Sequence, residues 1–399
     1  MKYIGIIFFL FLFDNIRGTT IQGVLIDSKT QLPIPYANVY LNKYSGAISN
    51  LDGKFILFIK DYNPNDTLQI SCVGYNRNTT LLKDFDTIGI NKLYIIPVVY
   101  ILNPIEIKTT GTTPYELLRD AFKKIEINYQ TEKHYYKGTY YEQINNFDIF
   151  RKWHSRTVNS ALIIEDPGYD KLHNNLFDNI LENIYILGIC KNNDSLNYHF
   201  KNSSTVNEAN YLKWTLQRNF CRYKSDYFSS PNTYNYNLKQ SYYDSTLNTN
   251  ILEIKITPKN PKEDVVYGEV YISSSDHKIF KIHILYKAED YPKPIDKKSE
   301  DYYRHLNSDI VVIYKPDFSN KMMLSYIKYE FGDGYFYYKQ NMPKMIFKKY
   351  MEYKTIGEVE NGESVLKKLP KMNNSTNIYD QKIMNNKAFW LDYNIVIKE

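Results

Sequence analysis

Between Thr20 and Leu82 the apolar residues recur in short alternating runs: Ile21, Val24 and Ile26; Ala37, Val39 and Leu41; Phe55, Leu57 and Ile59; Leu68 and Ile70. Side chains of a strand alternate between its two faces, so each run reads as a half-buried strand that needs a second sheet to cover it. Turn chemistry separates the runs. Pro33 and Pro35 fix the first connection, and Asp52-Gly53 marks the tightest turn, where Gly53 is expected at positive φ in a hairpin between Ile48 and Phe55. A small β-sandwich satisfies this pattern.

Gly23-Val24 ahead of Asp27, then PIPYANV (33–39), SNLDGKF (49–55) and VGY (73–75), resemble the carboxypeptidase regulatory-like domain. That family is a seven-stranded, transthyretin-like (prealbumin-like) β-sandwich common in envelope proteins of Bacteroidetes-type bacteria. The resemblance implies such a domain over residues 19–104 and a place in the cell envelope. The family name describes ancestry and implies no peptidase chemistry.

The chain has 399 residues, 43% of them hydrophobic, which is enough for two or three domains with real cores. Its formal charge of +6 is small for this length, and basic and acidic residues are interleaved, so a nucleic-acid partner gains no support. Forty tyrosines, with many Asn, Ile and Lys, point to a coding bias as much as to a binding surface. Lys2, the apolar Ile4 to Phe13 stretch and Ile16-Arg17-Gly18 form a signal-peptide pattern over residues 1–18, with export to the periplasm, outer membrane or cell surface expected. A membrane span needs about 20 apolar residues, and Asp14, Asn15 and Arg17 interrupt this one. No transmembrane span is therefore expected after cleavage, nor a lipid anchor, since the first cysteine is Cys72. Cys72 reads as a core residue, and Cys190 with Cys221 is the one pair worth testing as a disulfide.

Leu93 to Pro104 reads as a closing strand followed by an exit strand. A linker and helix follow over 105–130: Thr113 as N-cap, Pro114 at the first helical position, Glu116 in the first turn, and a stripe of Leu117, Leu118, Ala121, Phe122 and Ile125. KGTYYEQI (137–144) then opens an α+β domain over 131–399. Between Asn145 and Asn250 the pattern weakens, and Ser160 to Ile164 and Leu176 to Ile189 read as helical or mixed. From Ile251 alternation returns as an antiparallel meander, with turns expected at Ser273 to His277, Asp317 to Asn320 and Gly332 to Gly334. The strand order and the GEVYIS…KIFKI hairpin resemble the curved sheets of periplasmic lipoprotein-sorting proteins. The class is mainly β with an α+β part. A transporter barrel of about 22 strands does not fit the residues remaining after position 104, and the chain closes on IVIKE without a terminal aromatic.

No histidine is followed three residues later by a carboxylate, so neither zinc-hydrolase motif is present, and no serine elbow or phosphate loop occurs. His277 and His283 have even spacing that could place them on one face, against a bland reading as solvated histidines. Glu165-Asp166 and Glu263-Asp264 are acid pairs of the kind glycosidases use, though loop carboxylates are usually solvated. The Phe331 to Tyr335 segment reads as an aromatic-flanked Gly turn, and Tyr329, Phe331, Tyr335 and Tyr337 are a candidate binding edge for sugars or peptides; hairpin packing explains them equally. The expectation is an exported, non-catalytic interaction protein without metal or cofactor, with an envelope protein, glycan or peptide as partner. The rivals are a carrier of an acyl or other apolar ligand in the C-terminal sheet, and a glycan or peptide hydrolase with its site in 145–250.

Overall fold

The computed structural model describes residues 18–42, 45–98, 113–148, 151–170, 173, 181–193, 210–244, 247–261, 266–287, 301–317, 319–337, 342–372, 378 and 390. The signal segment, the exit strand beyond residue 98 and Glu263-Asp264 lie outside the described residues. Seven strands come first: β1 (Thr19–Asp27), β2 (Asn38–Asn42), β3 (Ser45–Ile48), β4 (Lys54–Ile59), β5 (Thr67–Ser71), β6 (Asn78–Leu81) and β7 (Ile90–Ile95). They form sheets of order β4-β1-β7 and β3-β2-β5-β6, and Ile21, Leu25, Val39, Leu57 and Leu68 fill the space between. Counting in twos from Ile21 reaches Leu25, so Val24 and Ile26 face away from this core and are only half-buried, contrary to the expectation. The Gly53 turn also differs: β3 and β4 belong to opposite sheets, so the chain crosses the sandwich there and forms no hairpin. Gly53 does take positive φ, at 70°. The Asn50 side chain stabilises the turn by accepting from the N–H groups of Asp52 and Lys54 at 3.0 and 2.9 Å.

Helix α1 (Pro114–Lys123) starts where its caps predict. Thr113 and Glu116 form a reciprocal capping box, and Leu117, Leu118 and Ala121 are buried. A short α2 (Ile125–Asn128) follows. The rest is one antiparallel sheet of β8 (His134–Asp148), β9 (Arg151–Asp166), β10 (Asn183–Asn193), β11 (Tyr234–Asp244), β12 (Thr249–Pro258), β13 (Val266–Ser273), β14 (Ile279–Tyr286), β15 (Asp301–Pro316), β16 (Met322–Tyr337) and β17 (Met342–Glu358). Its order, β10-β9-β8-β17-β16-β15-β14-β13-β12-β11, starts the chain inside the sheet, takes it to one edge, carries it to the other and returns it to pair with β8. No pairing joins β10 to β11 among the described residues, so the sheet is open.

Two sequence expectations fail here for identifiable reasons. Ser160 to Ile164 is not helical but lies in β9, where Ala161, Leu162, Ile163 and Ile164 are all buried. A strand covered on both faces loses its alternation and reads like a buried helix; the described part of the second run, Asn183 to Ile189, is likewise strand β10. Gly332 to Gly334 is no turn either, because β16 runs straight through it. Asp333 is held from both neighbouring strands, by Lys349 at 2.5 Å and His305 at 2.9 Å. Gly332 allows close approach: an added Cβ would stand 3.1 Å from that of Leu306, where β15 bulges.

The sheet is covered on both sides. On β15, Ile310, Val312 and Tyr314 join the main core with α1, α2, α3 (Tyr211–Leu216) and the segment through the 3-10 turn Asp226–Phe228. The alternate residues Val311 and Ile313 meet Tyr36 and Ile48 of the sandwich, and Tyr36 packs on Tyr326 with ring centroids 4.9 Å apart. Asn38 and Ser325 share a buried hydrogen bond across the same contact.

Candidate functional site

At the end of β9, Asp166 is fully buried and meets three hydrogen-bond donors and one more distant imidazole. Arg222 Nη2 lies 2.5 Å away, the Tyr136 hydroxyl donates at 3.0 Å, the Gly168 N–H donates at 2.8 Å, and His134 Nε2 lies at 3.8 Å. Arg222 also approaches Glu182 at 3.4 Å through Nε and stacks on the Tyr169 ring at 4.2 Å. Tyr223 donates to Glu182 at 2.6 Å. Burial opposes ionisation of both acids, but the Arg222 charge overrides it at Asp166 and holds that carboxyl below its ordinary value. At Glu182 burial prevails over Arg222, and the Asp166 charge adds to it, so its carboxyl is raised. One guanidinium serves two acids here, and the cluster is sealed from solvent, with Arg222 1% exposed.

Glu165 and Asp166 therefore do not act as a pair, because neighbours in a strand face opposite ways. Glu165 accepts from Asn183 at 2.9 Å and Tyr185 at 3.3 Å, and pairs with Lys133 at 3.3 Å. The histidines are likewise dispersed. His277 sits in the turn after β13 with φ 64°, its Nδ1 2.8 Å from Lys124 Nζ, while His305 bonds Asp333. His283 lies on β14 between Glu269 (3.9 Å) and Asp309 (3.0 Å), inside a cross-strand series that continues to Lys239 and Lys328. Among the described residues no group of three or more His, Cys, Asp or Glu side chains could hold a metal.

This series makes stability depend on pH. Burial disfavours the His283 imidazolium, but its hydrogen bonds to Asp309 and Glu269 outweigh that and raise its pKa. Glu269 is pulled down to about 2, first by His283 and against burial, with Lys239 assisting. His283 thus stabilises the fold fully below its ordinary 6.5 and loses this as pH rises through its raised value. Glu269 contributes above its ordinary 4.5 and loses this as pH falls towards about 2. Denaturant midpoints of wild type and His283→Gln are expected to differ most between those limits and to converge above neutrality; a constant difference up to high pH would contradict the assignment.

Of the candidate edge, Tyr329 and Phe331 stack at 4.7 Å and are buried, 6% and 4% exposed, beneath α3. Trp214 packs on Phe331 at 6.2 Å, and Arg218 covers the Tyr329 ring at 4.6 Å. Tyr335 and Tyr337 follow on β16, their side chains outside the described residues. Cys190 and Cys221 are unpaired thiols; Cys221 instead contacts the Tyr129 hydroxyl at 3.0 Å.

A cleft of about 310 Å³ opens between α1, α2 and residues 220–229. Phe122, Phe220 and Phe228 form its floor, with centroids 5.0 Å (Phe122–Phe228) and 5.3 Å (Phe220–Phe228) apart. Arg119, Lys123 and Lys224 stand around it with Glu126. Arg119 and Lys123 both approach Asp120, at 3.3 and 3.8 Å, on the exposed side of α1. Phe122 was legible as part of the α1 stripe. The opposite wall was not, since nothing local in Phe220 to Ser229 signals that it folds back onto α1.

Residues 21–90 match the family model of the CarboxypepD_reg-like domain, in agreement with the sequence resemblance and the seven-stranded sandwich. Several solved structures align with much of the chain. One is a LolA superfamily protein from Nitrosomonas europaea (8% identity, 64% of this chain and 97% of that one, TM-score 0.20). Another is an outer membrane lipoprotein-sorting protein domain from Vibrio parahaemolyticus (8%, 64% and 98%, TM-score 0.21). A third is the MucA/MucB complex of Pseudomonas aeruginosa (6%, 60% and 93%, TM-score 0.20). Scores at this level establish no common fold. No curated protein sequence matches.

Proposed function

We propose that this chain is an exported, non-catalytic binding protein of the cell envelope, and that its ligand is an amphiphile with an apolar chain and an acidic head. The cleft under α1 carries this reading: three phenylalanines in contact through Phe228, tilted and edge-on, offer an apolar floor, and Arg119, Lys123 and Lys224 offer cations at its edge. Lys2 and the Ile4 to Phe13 stretch support the envelope location. The buried acids of the sheet interior support a binding role over hydrolysis, because Asp166, Glu182 and Asp333 are committed to Arg222 and Lys349. The acyl site is placed at the rim of the sheet and not on its helix-covered face, which Tyr136, Tyr140, Tyr211 and Tyr314 already fill.

Titration of the chain lacking residues 1–18 with saturated fatty acids tests this by calorimetry. Saturable binding is expected, tightening about tenfold for each two methylenes added, since each buried methylene contributes about 0.8 kcal/mol. Phe122→Glu should abolish it without lowering the melting temperature much, as Phe122 is only partly buried. Absence of saturable binding by folded protein, or equal affinity for an alkylammonium of the same length, would sink the reading.

A further inference from the structure

Where the sandwich docks on the large sheet, a second cleft of about 300 Å³ remains between them. It runs into a groove of about 180 Å³, and the two share Ser71, Arg77, Lys315 and Pro316. Three cations line this space from three parts of the chain: Arg77 ahead of β6, Lys281 on β14 and Lys315 near the end of β15. The buried cations of the sheet interior each have a carboxylate in contact, Arg222 with Asp166 at 2.5 Å, Lys328 with Asp309 at 2.8 Å and Lys349 with Asp333 at 2.5 Å, whereas in the cleft Arg77 is exposed and Lys281 and Lys315 are half-buried. Among the described residues none of the three cleft cations has such a partner. The Lys281 ammonium lies over the Tyr271 ring at 5.4 Å, and that of Lys315 near the Tyr40 ring at 5.9 Å. Three acids also border the space: Asp244, which accepts the Leu247 N–H at 3.1 Å, Asp317, which accepts the N–H groups of Ser319 and Lys321 at 2.8 and 2.9 Å, and Glu358 in the groove, which acts on the Lys315 charge.

We propose that this interdomain cleft is a binding site for a small organic anion, whose acidic oxygens are taken by Arg77 from the sandwich and by Lys281 and Lys315 from the sheet. A guanidinium presents paired N–H groups that match carboxylate or phosphate geometry, and the two ammonium groups supply point charges. The desolvated state of Lys315 agrees with this: burial pushes its pKa down to about 8, with Glu358 opposing only partly. An anion placed there adds to the partial compensation by Glu358 and favours the charged ammonium. The volume suits a ligand of metabolite size. Because the cations come from both sides, the bound anion also ties the sandwich to the sheet.

The test uses the full chain without residues 1–18 and three probes: inorganic phosphate, glucose 6-phosphate and citrate. Melting temperature is followed against sodium chloride of equal ionic strength, with calorimetry for affinity. At least one probe is expected to bind saturably and to raise the melting temperature with its concentration. Preference for the phosphates or for citrate identifies the acidic group, and either result supports the site. Arg77→Gln, Lys281→Gln and Lys315→Gln should each weaken binding about tenfold or more, as loss of a charge-assisted hydrogen bond does, and leave the ligand-free melting temperature nearly unchanged. Phe122→Glu, at the separate cleft under α1, should leave anion binding intact. No stabilisation beyond that of sodium chloride by any of the three probes, or the same affinity in the triple Gln variant, would overturn the proposal.

Discussion

Arg222→Met is expected to lower the stability of the sheet by about 3–5 kcal/mol, the cost of leaving buried charge without its partner. Arg222 is 1% exposed, and its removal strands Asp166 at 0% and Glu182 at 1% exposure. Glu182 can take up a proton, since its carboxyl is already raised by burial and by Asp166; Asp166 loses the charge that keeps it ionised. Guanidinium chloride titration of the chain without residues 1–18 should show an earlier midpoint with an unchanged slope. Combining Arg222→Met with Asp166→Asn and Glu182→Gln should recover a large part of the loss, because the uncompensated charges are gone. A loss below about 1 kcal/mol for the single variant would mean that the cluster is not the anchor the geometry implies.

In the sandwich, Gly53→Val is expected to cost about 1–3 kcal/mol through backbone strain. Gly53 holds φ at 70°, and an added Cβ would stand 2.5 Å from the Leu25 carbonyl oxygen and 3.1 Å from the Ile34 nitrogen. Both contacts are to backbone, and the Leu25 N–H donates to the Gly53 carbonyl at 2.9 Å, so relief would disturb β1 as well. Thermal melts of Gly53→Val and Gly53→Asn separate the two causes. Asn tolerates the left-handed region but still meets Leu25, so its loss measures the contact and the excess in Val measures the dihedral. An unshifted melt for Val would refute the tight crossing at this position.

Much of the first domain was legible because its information is local. The turn residues at Pro33, Pro35 and Gly53, and apolar residues such as Ile21, Leu57 and Leu68, act within a few positions of themselves. The cap of α1 is equally local, with Thr113 and Glu116 three residues apart. The strands from Ile251 to Phe331 could be counted because period two survives on β13 and β14 and the Asp317 to Asn320 turn separates β15 from β16, both of which are buried on both faces. β9 escaped notice because both of its faces are covered, so Ala161 to Ile164 carry no period at all.

What lay beyond the sequence depends on pairings between distant residues. Arg222 meets Asp166 across 56 positions, and Tyr314 bonds Asn219 across 95, at 2.9 Å. Many tyrosines, unexplained by composition, are placed by such contacts: the rings of Tyr129, Tyr136 and Tyr314 fill the sheet interior while their hydroxyls reach Cys221, Asp166 and Asn219. The two clefts arise the same way. The floor of one needs Phe122 and Phe228 brought together, and the cations of the other come from Arg77, Lys281 and Lys315. Neighbouring residues alone set the capped start of α1 and the alternating strands such as β4, β13 and β14. Which charges are neutralised and which face open space was set by the fold, because a charge separated along the chain finds its partner once sheet order sets the distance between them.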